Sequence, residues 1–316
     1  VTVLALRALG LGDALTGVPA LRGVRRAWPG RRVVLAAPGG LGAWLASHGV
    51  VDDVLPTGGL EPLDGDWSGH VAVNLHGRGP ESHRVLQKTG PGRLVAFGCP
   101  EAGHDGPAWD PGEHEVDRWC RLVREAGGEC GPEDLRLGPA DPPRGRGRHV
   151  VVHPGAASGS RRWPPDRWAA VAGALARRGF PVVMTGSDGE RPLCSRVRAG
   201  AARAAEAAGA TPDVTDLAGR LALPGLADVV ATARLVLCGD TGVAHVATAF
   251  GTPSVVLFGP TPPATWGPVI DVERHAVLWH GAPGRRGDPH AEALDPALAA
   301  VTVDEVLAAA EPLLAR

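Results

Sequence analysis

Asp240-Thr241-Gly242, which ends one apolar run and begins a helical one, is the stretch of this chain best placed to do chemistry. At such a strand-to-helix junction the backbone N–H groups and the positive end of a helix dipole share one spot, which makes an anion site. Asp240 or Thr241 serving only as a helix cap is the alternative. Two further polar clusters also follow strand-like runs: His153-Pro-Gly-Ala-Ala-Ser158-Gly-Ser160-Arg161-Arg162-Trp163 and Gly186-Ser-Asp-Gly-Glu190. Glycines permit close approach and hydroxyls donate, while Arg161 or Arg162 offers a planar guanidinium for two phosphate oxygens. Glu190 suits the paired hydroxyls of a ribose, or is an ordinary carboxylate at a helix start. Together these residue types point to a pyrophosphate-bearing ligand.

The elements that must position these groups are legible by period. Leu223 to Ala233 carries Leu226, Val229 and Val230 at helical spacing, Leu235 to Cys238 is a short buried-strand run, Val243 to Phe250 resumes the helical pattern, and Ser254 to Phe258 is the next strand. Gly251 and Pro253 stop the helix between them. Upstream, strands are expected at His149 to Val152 and Pro181 to Thr185, with a helix from about Asp166 to Arg178. Strand ends at Val152, Met184 and Cys238 then feed one edge of a parallel sheet, where the three polar loops meet.

The N-terminal half has the same rhythm. Val1 to Leu6 reads as a strand, Arg7 to Asp13 as a glycine loop, and the stretch through Pro19, Leu21 and Val24 to Trp28 as a helix. Further strand and helix pairs fall at Arg32 to Ala37 with Leu41 to His48, and at His70 to Leu75 with Ser82 to Lys88. Gly10-Leu-Gly12 invites a dinucleotide reading, but Leu15 stands where the third glycine would be, so NAD and FAD are not supported. Gly138 to Arg148, dense in proline and glycine, marks the lobe boundary, giving lobes 1–143 and 144–316. Val303 to Leu314 is an amphipathic helix able to pack on either lobe.

Composition narrows the function classes. A chain of 316 residues exceeds the usual size of one domain. Its formal net charge of −2, with no basic stripe and interleaved aromatics, argues against nucleic acid as a partner. Apolar runs of strand length argue against integral membrane contact, and the cytoplasm is the default expectation. Five cysteines without CxxC or zinc spacing support neither a disulfide framework nor a metal site. Asp64-Gly-Asp66 is a DxD placed before a strand rather than after one, and reads as a turn.

The blocks HPGAASGSRRWP, GSDGE and DLAGRLALPGLADVVATARLVLCGDTGVAHVATAFGTPSVVLFGPT, with RALGLGDALTGVPAL near the start, resemble glycosyltransferase family 9, the heptosyltransferase-like enzymes of GT-B fold. The resemblance implies an α/β protein of two doubly wound Rossmann-like lobes facing a central cleft. It implies transfer of a sugar, usually heptose from an ADP-linked donor, to an acceptor hydroxyl with inversion, without metal or other cofactor. Carried over by residue, Asp13 takes the catalytic-base role; from its position alone it is a cap of the first helix. Arg161, Glu190, Asp240, Thr241, Gly242 and His245 fall on the donor side, Arg161 standing where the family usually has lysine, and the loop reading adds Ser158, Ser160 and Gly186 to that side. His76, Arg78 and His83, after the third N-terminal strand, could grip a polar, sugar-containing acceptor, either lipopolysaccharide core or a natural-product scaffold, or be scattered surface polar residues; His76 and Arg78 are the candidates carried forward. The family's cysteine-containing segment is missing around 281–296, and His280 to Pro296 reads as a surface loop. A non-catalytic nucleotide-sugar-binding protein and a nucleotide-sugar epimerase are the competing expectations.

Overall fold

The apolar runs are short and bounded by glycine or proline, so they form strands buried on both faces. In the computed structural model, which describes residues 2–67, 69–139 and 147–315, the chain divides into two units, Val1–Leu135 and Arg136–Arg316.

The first unit runs β1 (Val3–Leu6), α1 (Leu11–Thr16), α2 (Val18–Ala27), β2 (Val33–Ala37), α3 (Gly39–Ser47), β3 (Asp53–Pro56), β4 (Val71–Asn74), α4 (Glu81–Gln87), β5 (Arg93–Val95) and α5 (Glu115–Glu125). Its strands are all parallel in the order β3-β2-β1-β4-β5, with Leu6 opposite both Ala36 and Asn74. The order reverses at β1, so the loops after β1 and β4 flank the crevice where such sheets bind ligands. The single helix expected after the glycine loop is two. They meet at Gly17, where a Cβ would lie 2.6 Å from Cδ of Arg7, and Pro19 stands in the first turn of α2.

The second unit runs β6 (Val150–His153), α6 (Pro165–Arg177), β7 (Val182–Met184), α7 (Arg191–Glu206), β8 (Val214–Asp216), α8 (Leu223–Ala231), β9 (Leu235–Gly239), α9 (Gly242–Ala249), β10 (Ser254–Leu257), α10 (Pro263–Trp266), β11 (His275–Leu278), α11 (Pro296–Ala300) and α12 (Val303–Leu314). These strands are also parallel, ordered β11-β10-β9-β6-β7-β8, and reverse between β6 and β9. Helix α12 packs on α6 and on β9, β10 and β11, closing the core of this unit with Val306, Ala310, Leu313 and Leu314.

The boundary expected at 143/144 lies within 140–146, outside the described residues. Arg136 already belongs to the second unit. It pairs with Asp271 at 2.6 and 3.0 Å, and the Leu137 N–H donates to the Ala249 carbonyl at 2.8 Å. All five cysteines are buried free thiols.

Candidate functional site

The strand register aligns three loop entries in the second unit. Val152 lies opposite Met184 on one side and Leu237 on the other, with His153 beside Cys238. The loops 153–163, 185–190 and 240–242 therefore leave the same sheet edge from adjacent strands. Arg161 crosses between two of them, its Nη1 donating to the Asp240 carbonyl at 3.4 Å and its Nε to Ser158 Oγ at 3.3 Å. Arg162 folds back on its own loop, donating from Nε to the Ala156 carbonyl at 2.8 Å. Trp163 anchors the loop. It is 1% exposed, meets Trp168 edge to face at 4.9 Å, and donates to the Val301 carbonyl at 3.1 Å.

Glu190 sits at a helix start, as one of the two readings of its sequence position expected. One oxygen closes a capping box, accepting from the Ser187 N–H at 2.7 Å and its hydroxyl at 2.8 Å. The other faces the first loop, where a Cβ on Gly155 would lie 2.0 Å from it. His153, largely buried, hydrogen-bonds Thr185 Oγ1 at 3.0 Å; burial holds its pKa down against the opposing pull of Glu190. Gly186 is required for room, since a Cβ would come within 2.9 Å of Cys194 Sγ.

Thr241 occupies the N-cap position of α9, yet its side chain makes no cap hydrogen bond and its Oγ1 is buried without a partner. A buried hydroxyl left unsatisfied is costly, so a purely structural cap does not account for it. Gly242 follows as the first helical residue. Asp240 and His245 are each 7% exposed, the His245 ring standing 5.9 Å from that of Trp266.

The segment 280–296 is more than a surface loop. Its exposed first half is as expected, but its second half is fastened to the Ser158–Arg161 turn. Ser160 N–H donates to the Ala291 carbonyl at 2.9 Å, Asp295 N–H to the Ser160 carbonyl at 3.2 Å, and Ser158 Oγ to the Pro289 carbonyl. Gly159 is obligatory there, because a Cβ would sit 1.7 Å from the Glu292 carbonyl oxygen. Arg285 and Asp295 tie the loop's base with bonds of 3.0 and 2.8 Å.

In the first unit, Asp13 lies within α1 and Gly10 is the N-cap, so Asp13 is not the cap its sequence position suggested. The loop after β4 carries His76, whose Nδ1 accepts from the Ala8 N–H at 3.2 Å, and the exposed Arg78. A ring that accepts at Nδ1 while neutral keeps its proton on Nε2, as a donor. Asn74, fully buried, holds this loop by accepting from the His76 N–H at 3.0 Å and donating to Ser82 Oγ at 2.9 Å. No sequence signal marked Asn74, Thr185 or Arg7 as site-building residues; their partners lie on other elements.

Burial, and then the charge of Arg7, lowers the His76 pKa from 6.5 to about 4. Between those values the unfolded chain binds a proton that the folded chain refuses, so the His76 contribution is complete above about 6.5 and is lost as the pH falls toward 4. His70, His83 and His153 shift in the same direction. His76→Asn, whose carboxamide oxygen can replace Nδ1, is expected to flatten the acid limb of Tm against pH. An unchanged limb would mean that His76 titrates as a free imidazole.

Asp64 and Asp66 lie in an exposed irregular stretch before β4. Among the described residues no group of three or more His, Cys, Asp or Glu side chains is arranged to hold a metal ion. No helix among them is long and apolar enough to cross a membrane.

Two parallel α/β units with their polar loops at the strand-order reversals define the GT-B class of fold. It is shared with the E. coli ADP-heptose lps heptosyltransferase II, at a TM-score of 0.78, 19% identity and coverage of 100% of this chain and 99% of that one. E. coli heptosyltransferase WaaC with ADP-2-deoxy-2-fluoro heptose superposes at 0.69 with 20% identity, over 99% of each chain. The family profile of glycosyltransferase family 9 (heptosyltransferase) matches residues 108–285, and the chain belongs to that family. Among curated relatives, lipopolysaccharide heptosyltransferase 1 of Pseudomonas aeruginosa is 34% identical over 169 residues, which are 51% of this chain and 43% of that protein. The chain thus spans less than half the length of this relative.

Proposed function

We propose that this protein is an inverting glycosyltransferase that moves a heptose from ADP-heptose to a hydroxyl of a sugar-containing acceptor. The observation that carries this reading is the buried, unpartnered Thr241 hydroxyl at the start of α9, beside the loop whose carbonyl receives Arg161. An anionic group seated there would receive the hydroxyl, the helix N–H groups and the guanidinium together. Family membership supports a nucleotide-sugar as that anion, and the names of the relatives, lipopolysaccharide heptosyltransferases, support a lipopolysaccharide core sugar as acceptor.

The chemistry follows from where charge develops. As the bond from the anomeric carbon to the diphosphate breaks, negative charge grows on the leaving oxygen and positive charge on the ring. Arg161, Thr241 and the first N–H groups of α9 stabilise the former. Asp13 takes the acceptor proton as its hydroxyl attacks from the opposite face, which inverts the anomeric centre. Glu190 contacts the ribose, His245 stands on the donor side, and His76 with Arg78 holds the acceptor. This route requires no metal ion and belongs in the cytoplasm.

A thermal-shift and calorimetric comparison of ADP, GDP, UDP and dTDP, with magnesium or EDTA, tests the donor half. ADP-heptose turnover with core oligosaccharide or a soluble glycosylated scaffold tests the acceptor half. ADP binding indifferent to EDTA, followed by transfer to the core sugar, is the expected result. Binding that needs magnesium overturns the metal-free route, and transfer only to the soluble scaffold overturns the acceptor. In the same assay Thr241→Val is expected to stabilise the free protein by about 1 kcal/mol while weakening ADP about tenfold, because it removes an unsatisfied buried group that the ligand would satisfy. Unaltered ADP affinity would remove Thr241 from the site.

A further inference from the structure

Arg7 leaves the end of β1 for the interior, where it is 1% exposed, and its guanidinium is shared by three elements. Nε donates to the Asp13 carbonyl in α1 and Nη1 to the Leu75 carbonyl at the end of β4. Nη2 donates to Thr16 Oγ1 at 3.0 Å and to Glu115 Oε1 of α5 at 3.4 Å, and the group lies 4.9 Å from the Trp119 ring centre. The Asp13 carbonyl also receives Thr16 Oγ1 at 2.9 Å and the Gly17 N–H at 3.1 Å.

The partners beyond Arg7 are equally fixed. Glu115 accepts from Trp119 Nε1 at 2.7 Å and from Arg118, which itself donates to the Glu113 and Asp110 carbonyls at 2.8 and 3.0 Å. Arg7 and Arg118 against Glu115 leave one buried positive charge in excess. Asp13 is the next carboxylate whose charge Arg7 feels. Asp13 in α1 and the His76 loop, both on the proposed acceptor side, thus touch the same side chain, Asp13 through its own carbonyl and the loop through the adjoining Leu75, while the Ala8 N–H, next in the chain to Arg7, separately reaches His76 Nδ1.

We propose that Arg7 is a positioning residue for the transfer, its guanidinium setting the Asp13 carboxylate and the His76 ring against the same acceptor. This rests on the glycosyltransferase reading. A positively charged fork is needed because two carbonyls on different elements must be held at fixed separation, which an ammonium at the end of a flexible stem does less well.

The test uses the full chain with ADP-heptose, water standing in for the acceptor so that heptose and ADP are the products. In Arg7→Lys, kcat is expected to fall about 10–100-fold, as small displacements of a catalytic group do, with donor KM and ADP Kd unchanged. Thr16→Val removes one arm of the fork without leaving Arg7 uncompensated, and is expected to lower kcat about fivefold at near-native Tm, a smaller displacement of the same kind. Should Arg7→Lys fail to fold, Thr16→Val decides. Folded variants with wild-type kcat, or losses shared equally by Tm and ADP binding, overturn the positioning role. A wild-type chain that neither binds ADP nor turns over ADP-heptose overturns the glycosyltransferase reading and this inference with it.

Discussion

Asp13→Asn is expected to cut transfer by about 10²–10⁴-fold while leaving ADP affinity as it was, the size of effect that general-base help supplies. The substitution is close to isosteric, though it removes the carboxylate charge that the buried Arg7 feels, so a modest fall in Tm accompanies it. Gly10, not Asp13, is the N-cap of α1, and the contacts that fix residue 13 from Arg7, Thr16 and Gly17 all reach its main-chain carbonyl. Loss of turnover in a folded variant that still binds ADP separates an enzyme from a protein that only binds nucleotide-sugars. Full turnover in the variant would assign the base elsewhere.

Arg161→Ala is expected to lower kcat by about 10²–10³-fold, comparable to removing one preorganised donor from a developing oxyanion, and to weaken ADP as well. Its side chain is only partly buried and its present partners are the Asp240 carbonyl and the Ser158 hydroxyl at 3.4 and 3.3 Å, so little stability is lost with it. Arg161→Lys keeps the charge and gives up the fork, and is expected to recover most of the ADP affinity. Kinetics of the three proteins at saturating ADP-heptose check this. If Arg162→Ala has the larger effect, the loop turns in the bound state and the assignment to Arg161 fails.

The strands at the centre of each sheet were legible because they are short runs with apolar residues on both faces. β1, β2, β4, β6, β9 and β10 fall within a residue or two of the spans read from the sequence. The edge strands β3, β5, β8 and β11 were not; the exposed faces of the first three admit Asp53, Arg93 and Thr215 and blur the pattern, and β11 is a four-residue segment opening on His275. The polar loops could be located because they follow legible strands. What could not be read was which side chain within a loop reaches across it. Arg161 and Arg162 are adjacent and chemically alike, and only the fold sends one to Asp240 and the other to Ala156. Nor does any local spacing join Arg7 to Glu115, which lies on an element more than a hundred positions away.

The Ser158–Arg161 turn takes its backbone support from Ala291 and Asp295, and its downstream end from Ala299 and Val301 through Arg167 and Trp163. These bonds join residues made early in the second unit to residues made more than a hundred codons later. A nascent chain can thus complete strands β6, β7 and β9 and still lack the residues that shape the loop after β6. The 158–163 loop therefore takes its final shape only after Ala291, Asp295 and Val301 have been made, however early its own strand is complete.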